Sequence, residues 1–139
     1  LVNIDCDKDI TLNSYPISFA QIFSNLILNS IIHGFEDWQG PKIINIQVSI
    51  EGNKILIDYS DTGRGVEEDI AKNIFDPFVT TKRNTGGSGL GTLVIFNLVV
   101  QLLKGKVEFN TKVGKGVHFI FQIPFKTTED QTIQIPANN

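Results

Sequence analysis

An α+β fold is predicted by two strand pairs and three helical segments. Residues 43–50 and 54–59 carry apolar side chains at alternate positions on either side of Gly52-Asn53, as an antiparallel pair with a tight turn requires. Residues 105–110 and 117–125 form a second pair around Gly114-Lys115-Gly116. Three segments, 18–33, 67–75 and 89–103, read as helices. At 139 residues this amounts to one domain, large enough to bury a core.

In chain order, 2–5 and 10–12 alternate apolar and polar and are expected as two short strands. Tyr15-Pro16 breaks the chain, and Ser18 with Gln21 has the form of a capping box. The helix it opens should end at Ile32 or His33, with Gly34 as its stop. Phe19, Ile22, Phe23, Leu26 and Ile27 give it a broad apolar stripe. In the first hairpin strand Ile44, Ile46, Val48 and Ile50 share one face. A short helix is expected over 67–75. Residues 80–88 are polar and glycine-bearing without periodicity, which predicts a mobile loop. Residues 89–103 are apolar almost all round, which predicts a buried helix. The domain should occupy 1–125, with 126–139 as a polar C-terminal tail.

Composition removes several function classes. Apolar residues make up 41% of the chain, which excludes a disordered one. A formal charge of -3 and scattered basic residues argue against nucleic-acid binding and against direct membrane contact. Cys6 is the only cysteine, so there is no intrachain disulfide or thiolate cage, and it reads as a small apolar residue. His33 and His118 lie too far apart in sequence for a zinc motif. No apolar run reaches the roughly 18 residues that span a bilayer, and no signal peptide is visible. The chain has no Met and opens on Leu1, so it reads as a piece of a longer parent.

Four short motifs in order suggest a pocket for a magnesium nucleotide. Asn25 and Asn29 stand one turn apart on the first helix, with His33 one turn further. Asn is roughly 0.6 kcal/mol worse than Ala inside a helix, so two stacked amides call for partners. Those partners are either neighbouring loops or a hard cation, which takes oxygen ligands. His33 either meets the terminal carbonyls or approaches phosphate. Asp61-Thr62-Gly63-Arg64-Gly65 follows a strand; it is either a plain turn or a carboxylate placed to accept a base amine, with Gly63 and Gly65 permitting close approach. Such a carboxylate would choose adenine over guanine, which has a carbonyl at that position. Phe75 and Phe78 flank Asp76-Pro77 and run into Thr80, Thr81 and Lys82. They read as packing or as anchors of a lid whose Lys82 reaches phosphate. Gly86-Gly87-Ser88-Gly89-Leu90-Gly91 enters a helix, as a hinge or as a phosphate site of exposed amides. It fits neither the P-loop nor the dinucleotide fingerprint nor a serine elbow.

On these motifs the chain resembles the catalytic, ATP-binding domain of bacterial sensor histidine kinases, within the Bergerat-fold superfamily. The resemblance runs over about 2–125. It implies a two-layer α/β sandwich with a mixed, mostly antiparallel sheet and about three helices on one face. Asn25 and Asn29 match the N box, Asn29 at the magnesium-ligand position. Asp61, Gly63 and Gly65 match the first glycine box, whose aspartate meets the adenine amine. Phe75 and Phe78 match the F box, and Gly87, Gly89 and Gly91 the second glycine box, with the lid between Asp76 and Ser88. The ATP-binding set it implies is therefore Asn25, Asn29, His33, Asp61, Gly63, Gly65, Phe78, Thr81, Lys82, Gly87, Ser88, Gly89, Leu90 and Gly91. One position departs: Val117 stands where the family usually has Thr for a water-mediated adenine contact.

The resemblance implies ATP and Mg as cofactors. It implies an upstream helical dimerisation domain bearing the phosphoacceptor histidine, and a response regulator as partner. It also implies a cytoplasmic domain, whose parent can be anchored in the inner membrane. Hydrolytic and anti-sigma serine-kinase members of the superfamily carry Glu one turn before the metal Asn. Here Asn25, which cannot take a proton, holds that place. The alternatives are a non-catalytic ATP-binding sensing or interaction module and, behind it, a Bergerat-fold ATPase.

Overall fold

The hairpin expected around Gly52-Asn53 is the centre of the sheet. In the computed structural model, which describes residues 1–6, 16–75 and 91–125, strands β2 (Ile44–Glu51) and β3 (Lys54–Asp61) pair antiparallel in continuous register from Ile44↔Asp61 to Glu51↔Lys54. Strand β1 (Val2–Cys6) adds parallel to β2. The second hairpin, β4 (Lys106–Thr111) and β5 (Val117–Pro124), joins through an antiparallel β3–β5 pairing. The sheet is five-stranded, mixed and mostly antiparallel, in the order β1-β2-β3-β5-β4.

Alternation along the strands decides which face is buried. In β3 the side chains of Ile55, Ile57, Tyr59 and Asp61 are buried while those between are not. Register sets Ile46, Tyr59, Phe119 and Phe109 abreast, and likewise Val48, Ile57, Phe121 and Val107. Ile22, Leu26, Ile95 and Val99 from the helices complete this core. The opposite face carries Asn45, Asp58, Ser60 and His118, and there His118 Nε2 lies 2.8 Å from Asp58 Oδ1.

The helices follow their predicted stripes but not all their predicted ends. Helix α1 (Pro16–Asn29) starts two residues before Ser18, which therefore lies within its first turn rather than capping it. Pro at the first helical position loses nothing, because its missing N–H would have had no helical partner. The helix then widens into a π-helical turn, Ser30–Gly34, closed by Phe35 N donating to Ser30 O at 2.8 Å. Helix α2 (Glu68–Ala71) is shorter than expected, since 72–75 continue as turns. Helix α3 (Gly91–Phe96) also passes into a π-helix, Asn97–Leu102. The prediction of an all-round buried helix there is corrected. Ile95, Val99 and Leu103 form one buried stripe while Leu102 is 40% exposed, because only one side meets the sheet and α1.

Cys6 is exposed at the end of β1. The strand expected at 10–12, the loop at 80–88 and the tail at 126–139 lie outside the described residues. Among the described residues no helix is long and apolar enough to cross a membrane.

Candidate functional site

Two of the four motifs meet where α1 packs beside α3. Asn25 and Asn29 project toward Gly91, the first residue of α3. A Cβ on Gly91 would stand 3.3 Å from Asn29 Oδ1 and 3.9 Å from Asn25 Oδ1. Both Asn residues are half-buried. Any side chain at Gly91 would crowd these amides, so the end of the glycine-rich stretch and the Asn pair form one site.

The third motif reaches the same place through Ser30. Asp61 ends β3 on the core side and is 5% exposed. Its Oδ2 accepts the Ser30 hydroxyl at 2.6 Å, and its Oδ1 accepts backbone N–H groups from Gly63 at 3.0 Å and Val117 at 3.2 Å. A buried carboxylate needs such donors, since charge out of water is costly unless hydrogen-bonded. The plain-turn reading of Asp61 is thus only part of its role: the Gly63 contact makes the turn, while Ser30 and Val117 tie it to two further elements.

Gly63 and Gly65 are required by backbone packing. A Cβ on Gly63 would fall 2.5 Å from the Gly34 carbonyl oxygen, and one on Gly65 would fall 2.3 Å from that of Lys112. Both contacts bring main chain onto main chain, which only glycine permits. The loop is also stitched by Arg64, whose N–H donates to Gly34 O at 3.0 Å and whose Nε donates to His33 O at 2.8 Å. His33 therefore enters the site region through its carbonyl, on the π-turn.

Ser30 and Tyr59 were not singled out by the sequence reading. The two hydroxyl oxygens are 2.6 Å apart, and Tyr59 also donates to Leu26 O at 3.0 Å. Burial pushes the Tyr59 ionisation well above its ordinary range; the Ser30 hydrogen bond lowers it and the Asp61 charge raises it further. The only available signal was a Tyr at an inward position of a strand otherwise lined by Ile, since a buried phenol seeks a partner.

Phe75 packs against the core, with its ring centroid 5.3 Å from that of Phe96, 6.5 Å from Phe109 and 6.4 Å from Phe119. These contacts match the packing reading. Phe78, Thr81, Lys82, Gly87, Ser88, Gly89 and Leu90 lie outside the described residues. Val117 has no hydroxyl to offer, but its N–H holds Asp61 regardless.

The donor set near Gly91 suits a hard cation. Among the described residues no three His, Cys, Asp or Glu side chains gather into a metal cage. The paired amide oxygens of Asn25 and Asn29 can offer one or two ligands. Magnesium asks for no more when phosphate and water supply the rest.

The chain is similar to known proteins over most of its length. The family described as histidine kinase-, DNA gyrase B-, and HSP90-like ATPase matches residues 14–127. The autoinducer 2 sensor kinase/phosphatase LuxQ of Vibrio cholerae is 33% identical over 136 residues, covering 93% of this chain and 15% of that protein. The nucleotide-free catalytic domain of histidine kinase ThkA superposes with a TM-score of 0.69 at 25% identity, over 89% of this chain and 79% of its own. Full-length ShkA in complex with AMPPNP superposes with a TM-score of 0.66 at 25% identity, over 91% of this chain and 26% of its own. The chain thus spans only a small part of such curated relatives.

Proposed function

The chain belongs to the family of histidine kinase-, DNA gyrase B- and HSP90-like ATPases, and we propose that it serves a sensor histidine kinase by binding Mg-ATP and donating the γ-phosphate to a histidine elsewhere in the parent. The acceptor would sit on a separate helical dimerisation domain, and the phosphate would pass on to a response regulator. The observation that carries this reading is the buried Asp61, held by three donors and joined through Ser30 to the Asn25–Asn29–Gly91 cluster.

Within that proposal Asp61 reads the adenine amine, because a carboxylate accepts and repels a carbonyl in the same place. Asn29 offers its amide oxygen to magnesium, which would neutralise phosphate charge when bound. Asn25 stands one turn away and cannot take a proton, so the pocket holds ATP without a base for water. Phosphoryl transfer depends mainly on positioning and charge stabilisation, so the acceptor can come from another domain. Neither histidine here suits that role. His33 lies in the π-turn, and His118 lies on the opposite sheet face beside Asp58.

The test uses γ-labelled ATP. Alone, the chain should bind ATP, hydrolyse it negligibly and leave itself unlabelled. Supplied in trans with its own dimerisation domain, it should place acid-labile, base-stable phosphate there at a low rate, since tethering normally provides the effective concentration. Steady turnover of ATP by the purified chain alone would replace the kinase reading with an ATPase.

A further inference from the structure

A carboxylate has about four lone-pair sites. Oδ1 of Asp61 uses two, for Gly63 and Val117, and Oδ2 uses one, for Ser30. The remaining acceptor site therefore belongs to Oδ2. That oxygen borders Gly34, where a Cβ would lie 3.1 Å away.

Ser30 has one hydroxyl proton, and the 2.6 Å contact with Asp61 uses it. The Ser30 oxygen is also 2.6 Å from the Tyr59 hydroxyl, which donates to Leu26 O at 3.0 Å. Ser30 thus donates to Asp61 and Tyr59 to Leu26 O, and the 2.6 Å contact between the two hydroxyl oxygens holds the Ser30 oxygen in place for that donation. Ser30 is 2% exposed and Tyr59 is fully buried, so water does not compete for these positions.

We propose that Ser30 and Tyr59 are positioning residues for nucleotide specificity: their hydroxyl pair fixes Asp61 Oδ2 as an acceptor and aims its last lone pair at the base. This rests on Asp61 reading adenine. The carboxylate accepts an amine and repels a carbonyl by its own charge, and the Ser30 bond holds Oδ2 where that preference is expressed. Without Ser30 the carboxylate keeps its two backbone bonds on Oδ1 but loses the one donor on Oδ2 seen among the described residues, so Oδ2 is held less firmly and the discrimination weakens. Tyr59 acts one contact further out, so its removal has the same sign and a smaller size.

The experiment titrates the 139-residue chain calorimetrically with Mg-ATP and with Mg-GTP, for wild type, Ser30→Ala and Tyr59→Phe. The readout is the ratio of the two affinities. Wild type should prefer ATP. Ser30→Ala should lower that preference about tenfold, at the low end for a hydrogen bond to a charged group, and Tyr59→Phe by about threefold. A merely structural role would weaken both nucleotides alike and leave the ratio unchanged, and that result overturns the proposal. If Ser30→Ala does not fold, Tyr59→Phe decides, since it keeps the ring in the core: an unchanged ratio refutes the proposal and a reduced one supports it. Equal wild-type affinity for ATP and GTP is a separate outcome, which removes the adenine role of Asp61 and the positioning role with it.

Discussion

At the scale of single residues, the proposed division between binding a nucleotide and hydrolysing it rests on the amides of Asn25 and Asn29. Both side chains face Gly91, and neither is a base. Asn29→Ala removes the proposed ligand oxygen while leaving a good helix former in α1. The expected result is that ATP affinity, measured by calorimetry with and without magnesium, loses its metal-dependent part. An Ala variant with undiminished magnesium dependence would make Asn29 structural. The residue scale is also where sequence reasoning was least complete. Ser30 stands beside the motif residue Asn29, and nothing in its local sequence marks a role. Its role depends on Tyr59 and Asp61, which lie 29 and 31 residues away.

At the scale of elements, the β4–β5 turn shows how two similar glycines differ. Gly114 and Gly116 both have left-handed backbone, at φ 84° and 78°. A Cβ on Gly114 would meet nothing within 4 Å, whereas one on Gly116 would stand 1.9 Å from the Asp61 carbonyl oxygen. Gly114→Ala should therefore cost only the left-handed penalty, about 1–2 kcal/mol. Gly116→Ala should cost at least about 1 kcal/mol more, because β5 must shift away from Asp61 as well. Denaturant melts of the two variants provide the comparison, and equal losses would show that the close approach is unimportant. The shift should also move the Val117 N–H from Asp61 Oδ1, so the damage reaches the site through an element that carries no motif. The π-turn at Ser30–Gly34 works similarly. It turns the chain so that the His33 and Gly34 carbonyls both meet Arg64.

For the whole molecule, the buried Tyr59 links stability to pH. Its folded-state ionisation is raised above the ordinary value of about 10 by burial, so the folded protein holds that proton where the unfolded chain releases it. The contribution is complete below about pH 10 and is lost as pH rises from there toward the folded value. Thermal melts between about pH 9 and pH 11 should show the wild type losing stability faster than Tyr59→Phe, which has no proton to lose at that site. Parallel loss in both proteins would mean that other groups, lysines among them, govern the alkaline limb.

Local pattern was enough to predict the fold class, because alternation, helical spacing and turn residues are properties of neighbouring positions. The hairpin at Gly52-Asn53 and the apolar stripe of α1 came from these alone. The Asn pair, Asp61 and Gly91 were likewise legible as residue types at the right spacing. Tertiary structure decided what required two distant segments at once. It placed Asn29 against Gly91 and Val117 N–H on Asp61 across 56 residues. It also made α3 bury one stripe instead of its whole circumference, since a two-layer fold gives that helix a sheet on one side only. Spacing records which faces are apolar; strand register and helix packing determine which atoms meet, and both are settled only when the layers close.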